Sequence, residues 1–223
     1  MNQRAVAVRR VGRERQPVAI IDEFAADPDA LRAAAAAATF APAGRHYPGI
    51  SARLPPSYFR PHAAMFAQLL ADLFDLPEGA RVLDASFSIV TAAPETLTLE
   101  QRIPHVDALE PGRIAMVHYL GPDDPDGTAF FRHRATGFET LNAARSAQYL
   151  PRLNAEIRAA PPAADYLAGH SPLFELLETV PARYNRAILY RSAMLHSGAI
   201  TPGRALPADP LSGRLTVTAF LAG

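Results

Sequence analysis

The chain of 223 residues contains no cysteine. Disulfide frameworks, zinc–thiolate sites and cysteine nucleophiles are therefore excluded as the basis of its fold or its chemistry. Its 22 Lys and Arg residues balance 22 Asp and Glu residues, and this zero net charge gives no indication of a nucleic-acid or membrane partner. A chain without cysteine fits a reducing compartment, and we expect a cytoplasmic protein.

Long apolar runs are also missing. The longest one, residues 33–38, consists of alanine and is much shorter than a membrane span. The arginines near the N-terminus are not followed by the apolar stretch of a signal peptide. The local cluster Arg9, Arg10, Arg13 and Arg15 instead predicts a solvated N-terminal arm.

Hydrophobic residues make up 49% of the chain, and this content and length suit one globular domain over residues 1–223. The N-terminal region, residues 1–81, predicts α/β structure. It contains a buried strand at residues 17–21 and a helix over residues 27–39. Asp27 is the expected N-cap of that helix, and Pro28 is expected at its first position.

Residues 40–55 are rich in proline and glycine, which predicts a loop. His46 and Tyr47 lie in this loop, where they either line a pocket or stay exposed. A second helix is predicted over residues 57–74, because apolar side chains recur there near helical spacing.

From residue 82 onward the pattern changes to short strands separated by turns. Strand patterns cover residues 82–90, 114–120, 128–133, 185–191 and 214–221, and a further strand is expected through residues 104–107. Residues 134–182 interrupt this rhythm with five prolines, and we expect a helical and loop insertion over one mouth of a barrel. The predicted fold class is α+β, with a barrel or sandwich core over about residues 82–221.

One short motif carries the predicted chemistry. His105 and Asp107 are two residues apart, so on a strand both side chains would point to the same face. Such a pair supplies two of the three ligands of a 2-His-1-carboxylate iron site, and His196 is the candidate for the third. A His-x-Asp pair is also common at surfaces and turns, and a single strand histidine such as His196 is often part of a core.

Two other histidines compete with His196 for the third position. His118 is next to Tyr119 on a strand, so the two side chains point to opposite faces, and His118 is excluded if Tyr119 faces the site. His133 ends a hairpin strand and is followed by Arg134, which suits a position at the rim.

The order of these motifs resembles the iron(II)/2-oxoglutarate-dependent dioxygenases, and within them the prolyl-hydroxylase-like branch with its bacterial members. The resemblance covers about residues 82–221 and combines several short segments in the family's order. The matching segments are Pro104–Asp107, Val117–Leu120, Gly127–Phe130, Tyr184–Tyr190, His196–Gly198, and Arg214 with Thr218.

This resemblance implies a double-stranded β-helix, or jelly roll, that binds Fe(II) through His105, Asp107 and His196. It also implies that 2-oxoglutarate and O2 are co-substrates. The far carboxylate of 2-oxoglutarate would be bound by Arg214. Tyr119 would donate a second hydrogen bond to it, and Thr218 a third. The reaction would release succinate and CO2 and, most simply, hydroxylate a substrate.

The substrate side is open to several interpretations. A small molecule, an amino acid and a protein side chain are all compatible with the sequence, and the oligomeric state is not predicted. Arg132, His133 and the insertion at residues 134–182 are the expected substrate contacts. A metal- or 2-oxoglutarate-binding module without turnover, and a structural or interaction domain with an accidental His-x-Asp, are the alternatives to an enzyme.

One feature departs from the family pattern. Residue 214 lies 18 positions after residue 196, which is longer than usual in this branch. Residues 202–213 would then be a loop insertion. Arg204 is the alternative partner for the carboxylate, although it lies among prolines and glycine and has no strand of its own.

Overall fold

The computed structural model describes residues 6–44 and 47–223, and within them the chain forms eleven strands and three α-helices. The strands are β1 (Val6–Val11), β2 (Gln16–Ile21), β3 (Ala41–Pro42), β4 (Gly49–Arg53), β5 (Arg81–Val90), β6 (Arg113–Tyr119), β7 (Asp124–His133), β8 (Phe174–Ala182), β9 (Arg186–Arg191), β10 (His196–Gly198) and β11 (Leu215–Ala222). The helices are α1 (Pro28–Ala36), α2 (Ala63–Phe74) and α3 (Ala143–Ala159). His46, considered above as a pocket residue, lies outside the described residues.

The strands form two sheets. The large sheet has the order β1-β2-β9-β6-β11-β5-β4-β3, and the small sheet has the order β10-β7-β8. Every pairing between these strands is antiparallel. Of the predicted α+β fold with a barrel or sandwich core, the structure confirms a mostly antiparallel sheet core with few helices.

Helices α1 and α2 cover the outer face of the large sheet. Phe66, Leu70 and Phe74 recur every four residues along α2, and this buried stripe packs against the sheet. Helix α1 starts where it was predicted, because the Asp27 side chain accepts a hydrogen bond from the Ala30 N–H at 2.9 Å. In the described residues no helix is long and apolar enough to cross a membrane.

The small sheet packs on the inner face of the large one, and α3 packs on the other side of the small sheet. Phe130 of β7 meets Tyr190 of β9 between the two sheets, with ring centroids 5.1 Å apart. On the opposite face of β7, Phe131 packs with Leu153 of α3. The molecule is thus layered as helices, large sheet, small sheet and α3.

The predicted N-terminal arm is wrong within the described residues. Residues 6–11 form β1, which pairs with β2 at the edge of the large sheet. Four consecutive residues of this strand, 7–10, are exposed. Arg9 and Arg10 therefore lie on a solvent-exposed edge strand and not on a separate arm.

The predicted insertion at residues 134–182 is only partly a helix and loop. Its last part, β8, pairs with β7 and so belongs to the small sheet. Its helix, α3, covers the back of that sheet and not a barrel mouth. The loop between them reaches the segment that follows β5, where the Tyr166 hydroxyl donates to the Ala92 carbonyl at 2.8 Å.

Candidate metal centre

His105, Asp107 and His196 come together at the edge of the small sheet. One nitrogen or oxygen atom of each lies within 4.8 Å of the other two, and among the described residues no other such cluster was found. The Asp107 carboxylate lies 3.6 Å from His105 Nε2 and 3.5 Å from His196 Nε2. Ligand atoms about 2.1 Å from an ion and at right angles to each other lie about 3 Å apart, so small side-chain shifts suffice for coordination.

Backbone pairing holds the motif against β10. The main chains of His105 and His196 exchange N–H···O bonds of 2.9 Å in both directions, and the Asp107 N–H donates to the Ser192 carbonyl at 2.9 Å. The prediction of a full strand through residues 104–107 is wrong, because this segment is a single bridge within a loop. Even so, the two side chains converge on one side, as their two-residue spacing predicted.

The ring of His196 is fixed in the orientation that a metal ligand needs. Its Nδ1–H donates to the Met194 carbonyl at 2.9 Å, which leaves the Nε2 lone pair facing Asp107. The ring also packs edge-on against Tyr190, with centroids 4.9 Å apart. Burial, reinforced by His105 and opposed by Asp107, lowers the pKa of His196 to about 4, so the imidazole is neutral near pH 7.

Asp107 supplies the negative charge. Its side chain is 16% exposed while its main chain faces solvent. Burial raises the pKa of Asp107, but the combined effect of His196, His105 and Arg113 is larger and lowers it below the usual value. The side chain of His105 is 53% exposed, so the cluster is reachable from solvent on that side.

The donor set fits a divalent transition metal. Two imidazoles and one carboxylate on a single side of an ion are the facial arrangement typical of non-haem Fe(II), and they leave the remaining positions for other ligands. The structure therefore provides a group of residues that can bind a metal.

Arg214 lies between the two sheets. It precedes β11 and pairs with β7, since its guanidinium donates to Asp124 Oδ2 at 2.9 Å and to the Ala199 carbonyl at 3.2 Å. Its side chain is 16% exposed. Alternation along β11 puts it on the same face as Thr216 and Thr218, whose hydroxyl oxygens are 3.5 Å apart.

Tyr119 lies on this inner face as well. It pairs with Thr216 across β6 and β11, and its hydroxyl shares a 2.7 Å hydrogen bond with the Thr128 hydroxyl. Burial raises the pKa of Tyr119 to about 12, and nearby Arg214 partly opposes this shift, so the phenol stays protonated. Arg214 and Tyr119 are thus neighbours, and Thr218 follows further along the same face.

Hydroxyl side chains line the inner face of the large sheet on β11, β5 and β4. Paired residues of antiparallel strands point to the same side, so the register aligns the side chains across β11, β5 and β4. The aligned side chains are those of Thr216, Thr218, Ser88, Ser86 and Ser51. This surface can therefore hydrogen-bond to a polar ligand.

Sequence reasoning gave no role at the site to Asp124, which pairs with Arg214, or to Tyr166. Asp124 had been assigned only to a turn, and Tyr166 to the insertion, while Tyr47 was weighed as a pocket residue. Burial raises the pKa of Tyr47 and raises the pKa of Tyr166 to about 12, and the charge of Arg214 partly opposes both shifts. The only available signal was the position of Tyr47 in a loop rich in proline and glycine.

Arg132 and His133 do not have the contacts expected of substrate-binding residues. Arg132 is 8% exposed and donates to Glu139 and Glu175. His133 is fully buried, and its Nε2 lies 2.9 Å from a Glu156 oxygen. The predicted substrate role is therefore not supported, because both side chains bind the chain's own carboxylates.

His118 lies on the opposite face from Tyr119, as predicted. Its ring is fully buried on the helix side of the sheet, between the Tyr58 hydroxyl at 3.0 Å and the Asn185 side-chain oxygen at 3.1 Å. It is therefore not a rival metal ligand.

The chain belongs to a family described as "Family of unknown function (DUF6445)", whose model matches residues 2–221. No curated protein matches the sequence. The crystal structure of SnoN, a non-heme alpha ketoglutarate dependent epimerase from nogalamycin biosynthesis, is similar at a TM-score of 0.46 and 13% identity, over 93% of this chain and 78% of that chain. The crystal structure of HygX from Streptomyces hygroscopicus, with nickel, 2-oxoglutarate and hygromycin B bound, is similar at a TM-score of 0.45 and 14% identity. The match covers 92% of this chain and 82% of that chain.

Proposed function

We propose that the protein is an Fe(II)- and 2-oxoglutarate-dependent dioxygenase that hydroxylates a small molecule or an amino-acid side chain in the cytoplasm. The observation that carries the proposal is the cluster of His105, Asp107 and His196, with His196 held in the ligand tautomer by the Met194 carbonyl. Bound iron would supply the activation of O2 and the oxidative decarboxylation of 2-oxoglutarate to succinate and CO2.

The arrangement of the sheets supports this proposal. The small sheet faces the large one, and both His196 and Arg214 lie between them, with contacts to residues of the facing sheet. We infer that this pair of antiparallel sheets is a double-stranded β-helix with β10 and β11 among its core strands.

The surroundings of Arg214 support a carboxylate ligand. A guanidinium in a partly enclosed site binds a carboxylate strongly, because two parallel N–H···O bonds form and little water screens them. Tyr119 adds a protonated hydroxyl near the same guanidinium. We infer that Arg214 binds the far carboxylate of 2-oxoglutarate and that Tyr119 and Thr218 contribute hydrogen bonds.

Succinate formation tests the proposal. Full-length protein given Fe(II), 2-oxoglutarate and air should release succinate slowly even without its own substrate. Asp107→Ala should abolish this release and reduce Mn(II) affinity by roughly 100-fold, because the sole anionic ligand is lost. Asp72→Ala, on the exposed side of α2, is the matched control and should behave like the wild type.

Equal succinate release by wild type and Asp107→Ala would overturn the metal assignment. Binding of Fe(II) and 2-oxoglutarate without any succinate, even across a broad screen of substrates, would instead indicate a binding module without turnover.

A further inference from the structure

Asp124 forms ion pairs with two arginines through the same oxygen. Its Oδ2 lies 2.7 Å from Arg204 and 2.9 Å from Arg214, and its other oxygen accepts the Asp126 N–H at 3.0 Å. The carboxylate is 5% exposed. Because a carboxylate this buried needs a cationic partner, the question is which arginine supplies that charge.

The neighbouring carboxylate is bound elsewhere. Asp126 accepts the N–H and the hydroxyl of Thr201 at 2.6 and 2.7 Å. Within the described chain it forms no ion pair with Arg204 or Arg214 at 4.0 Å or less. The buried Asp124 carboxylate therefore pairs with two guanidiniums, and these three side chains together carry one surplus positive charge.

The two arginines differ in exposure. The side chain of Arg204 is 38% exposed, whereas that of Arg214 is 16% exposed and lies on the sheet face that also carries Tyr119. Arg204 is thus the outer cation and Arg214 the inner one. If Arg204 were absent, Asp124 would neutralise Arg214 and weaken its attraction for a second anion.

We propose that Arg204 is a positioning residue that neutralises Asp124, so that the charge of Arg214 stays available to the anionic end of the co-substrate. This inference rests on the proposed function and deepens it. Sequence reasoning treated Arg204 and Arg214 as alternatives, whereas the geometry gives them different roles in one group.

The same contacts account for the long spacing between His196 and Arg214. The segment after β10 is fixed to the start of β7 through Thr201 and Asp126. This fixation brings Arg204 back to Asp124 before the chain enters β11. The extra residues thus deliver a second cation to the buried carboxylate.

Binding measurements on the full-length, Mn(II)-loaded protein test this proposal. The probes are 2-oxoglutarate, whose far carboxylate would reach Arg214, and oxalate, which chelates the metal but has no far carboxylate. Arg204→Gln should weaken 2-oxoglutarate binding about tenfold, while leaving the affinities for Mn(II) and oxalate unchanged. Adding Asp124→Asn to Arg204→Gln should restore most of the lost affinity, because the competing anion is removed.

Arg183→Gln is the matched control, since Arg183 is 64% exposed and pairs only loosely with Asp22 at 4.0 Å. It should leave all three affinities unchanged. Unchanged 2-oxoglutarate binding in Arg204→Gln, or equal losses for 2-oxoglutarate, oxalate and Mn(II), would overturn the proposal while leaving the proposed function standing. A wild-type protein that binds Mn(II) but no 2-oxoglutarate would overturn both. If the double variant does not fold, the comparison of probes in Arg204→Gln decides alone.

Discussion

At the scale of single residues, burial keeps His196 neutral and local charge keeps Asp107 ionised, which are the protonation states that a metal ion requires. The imidazole is neutral because it is buried, and its free Nε2 faces a carboxylate that nearby positive charge keeps ionised. The spacing of His105 and Asp107 could be read directly, since two-residue periodicity is local. The Met194 carbonyl and the Tyr190 ring could not be predicted, because they meet His196 only through strand pairing.

Arg214 gives the first residue-scale prediction. Arg214→Ala removes the inner cation, so the far carboxylate of 2-oxoglutarate would be buried without a partner, and its dissociation constant should rise roughly 100-fold. Mn(II) affinity should hardly change, because Arg214 contacts Asp124 and Ala199 and none of the predicted metal ligands. Calorimetric titration of each ligand measures both effects. Parallel losses of Mn(II) and 2-oxoglutarate would argue against this separation of roles.

His118 gives a pH prediction. Burial lowers its pKa to about 3 from an ordinary value of 6.5, with the Asn185 hydrogen bond opposing and nearby His62 reinforcing the shift. The unfolded chain therefore takes up the proton first, so stability falls as the pH drops below 6.5, by at most about 1.4 kcal/mol per pH unit from this residue. His118→Gln should show a shallower dependence of the unfolding free energy between pH 6.5 and 4.5 in urea titrations. Identical slopes for wild type and variant would contradict the assignment.

At the scale of elements, helices were predicted more accurately than strands. The start of α1 could be located from Asp27 and Pro28, because capping is a local interaction. Strands β1 and β8 were missed, since a strand is defined by its partner. The charged residues of β1 led to the prediction of a solvated arm. Pro181 led to the prediction of a loop, although Pro181 lies in β8 and pairs with Gly127 of β7.

Helix α3 gives an element-scale prediction. Leu153 is 5% exposed and packs against the small sheet, whereas Leu150 on the same helix is 49% exposed. Leu153→Ala should therefore reduce the free energy of unfolding by about 2–5 kcal/mol, because it leaves a cavity. Leu150→Ala is the matched control, and urea denaturation should find a change of less than about 0.5 kcal/mol. Similar losses for the two variants would show that α3 does not pack as described.

At the scale of the whole molecule, the inner face of the large sheet is divided into two halves. Its apolar half, on β2, β9 and β6, packs into the hydrophobic cluster beneath the small sheet. The other half, on β11, β5 and β4, carries aligned hydroxyl groups. An antiparallel core could be predicted from strand patterning, but this division depends on which strands the small sheet covers, and that is set by non-local pairing.

The central claim is that one site binds a divalent metal and 2-oxoglutarate together. Anaerobic titration of the full-length protein with 2-oxoglutarate, in the presence and absence of Fe(II), tests it most directly. We predict that one 2-oxoglutarate binds per chain and that Fe(II) increases its affinity at least about tenfold, because the metal provides part of the binding site. An affinity for 2-oxoglutarate that is the same with and without Fe(II), or no binding in either case, would contradict the account.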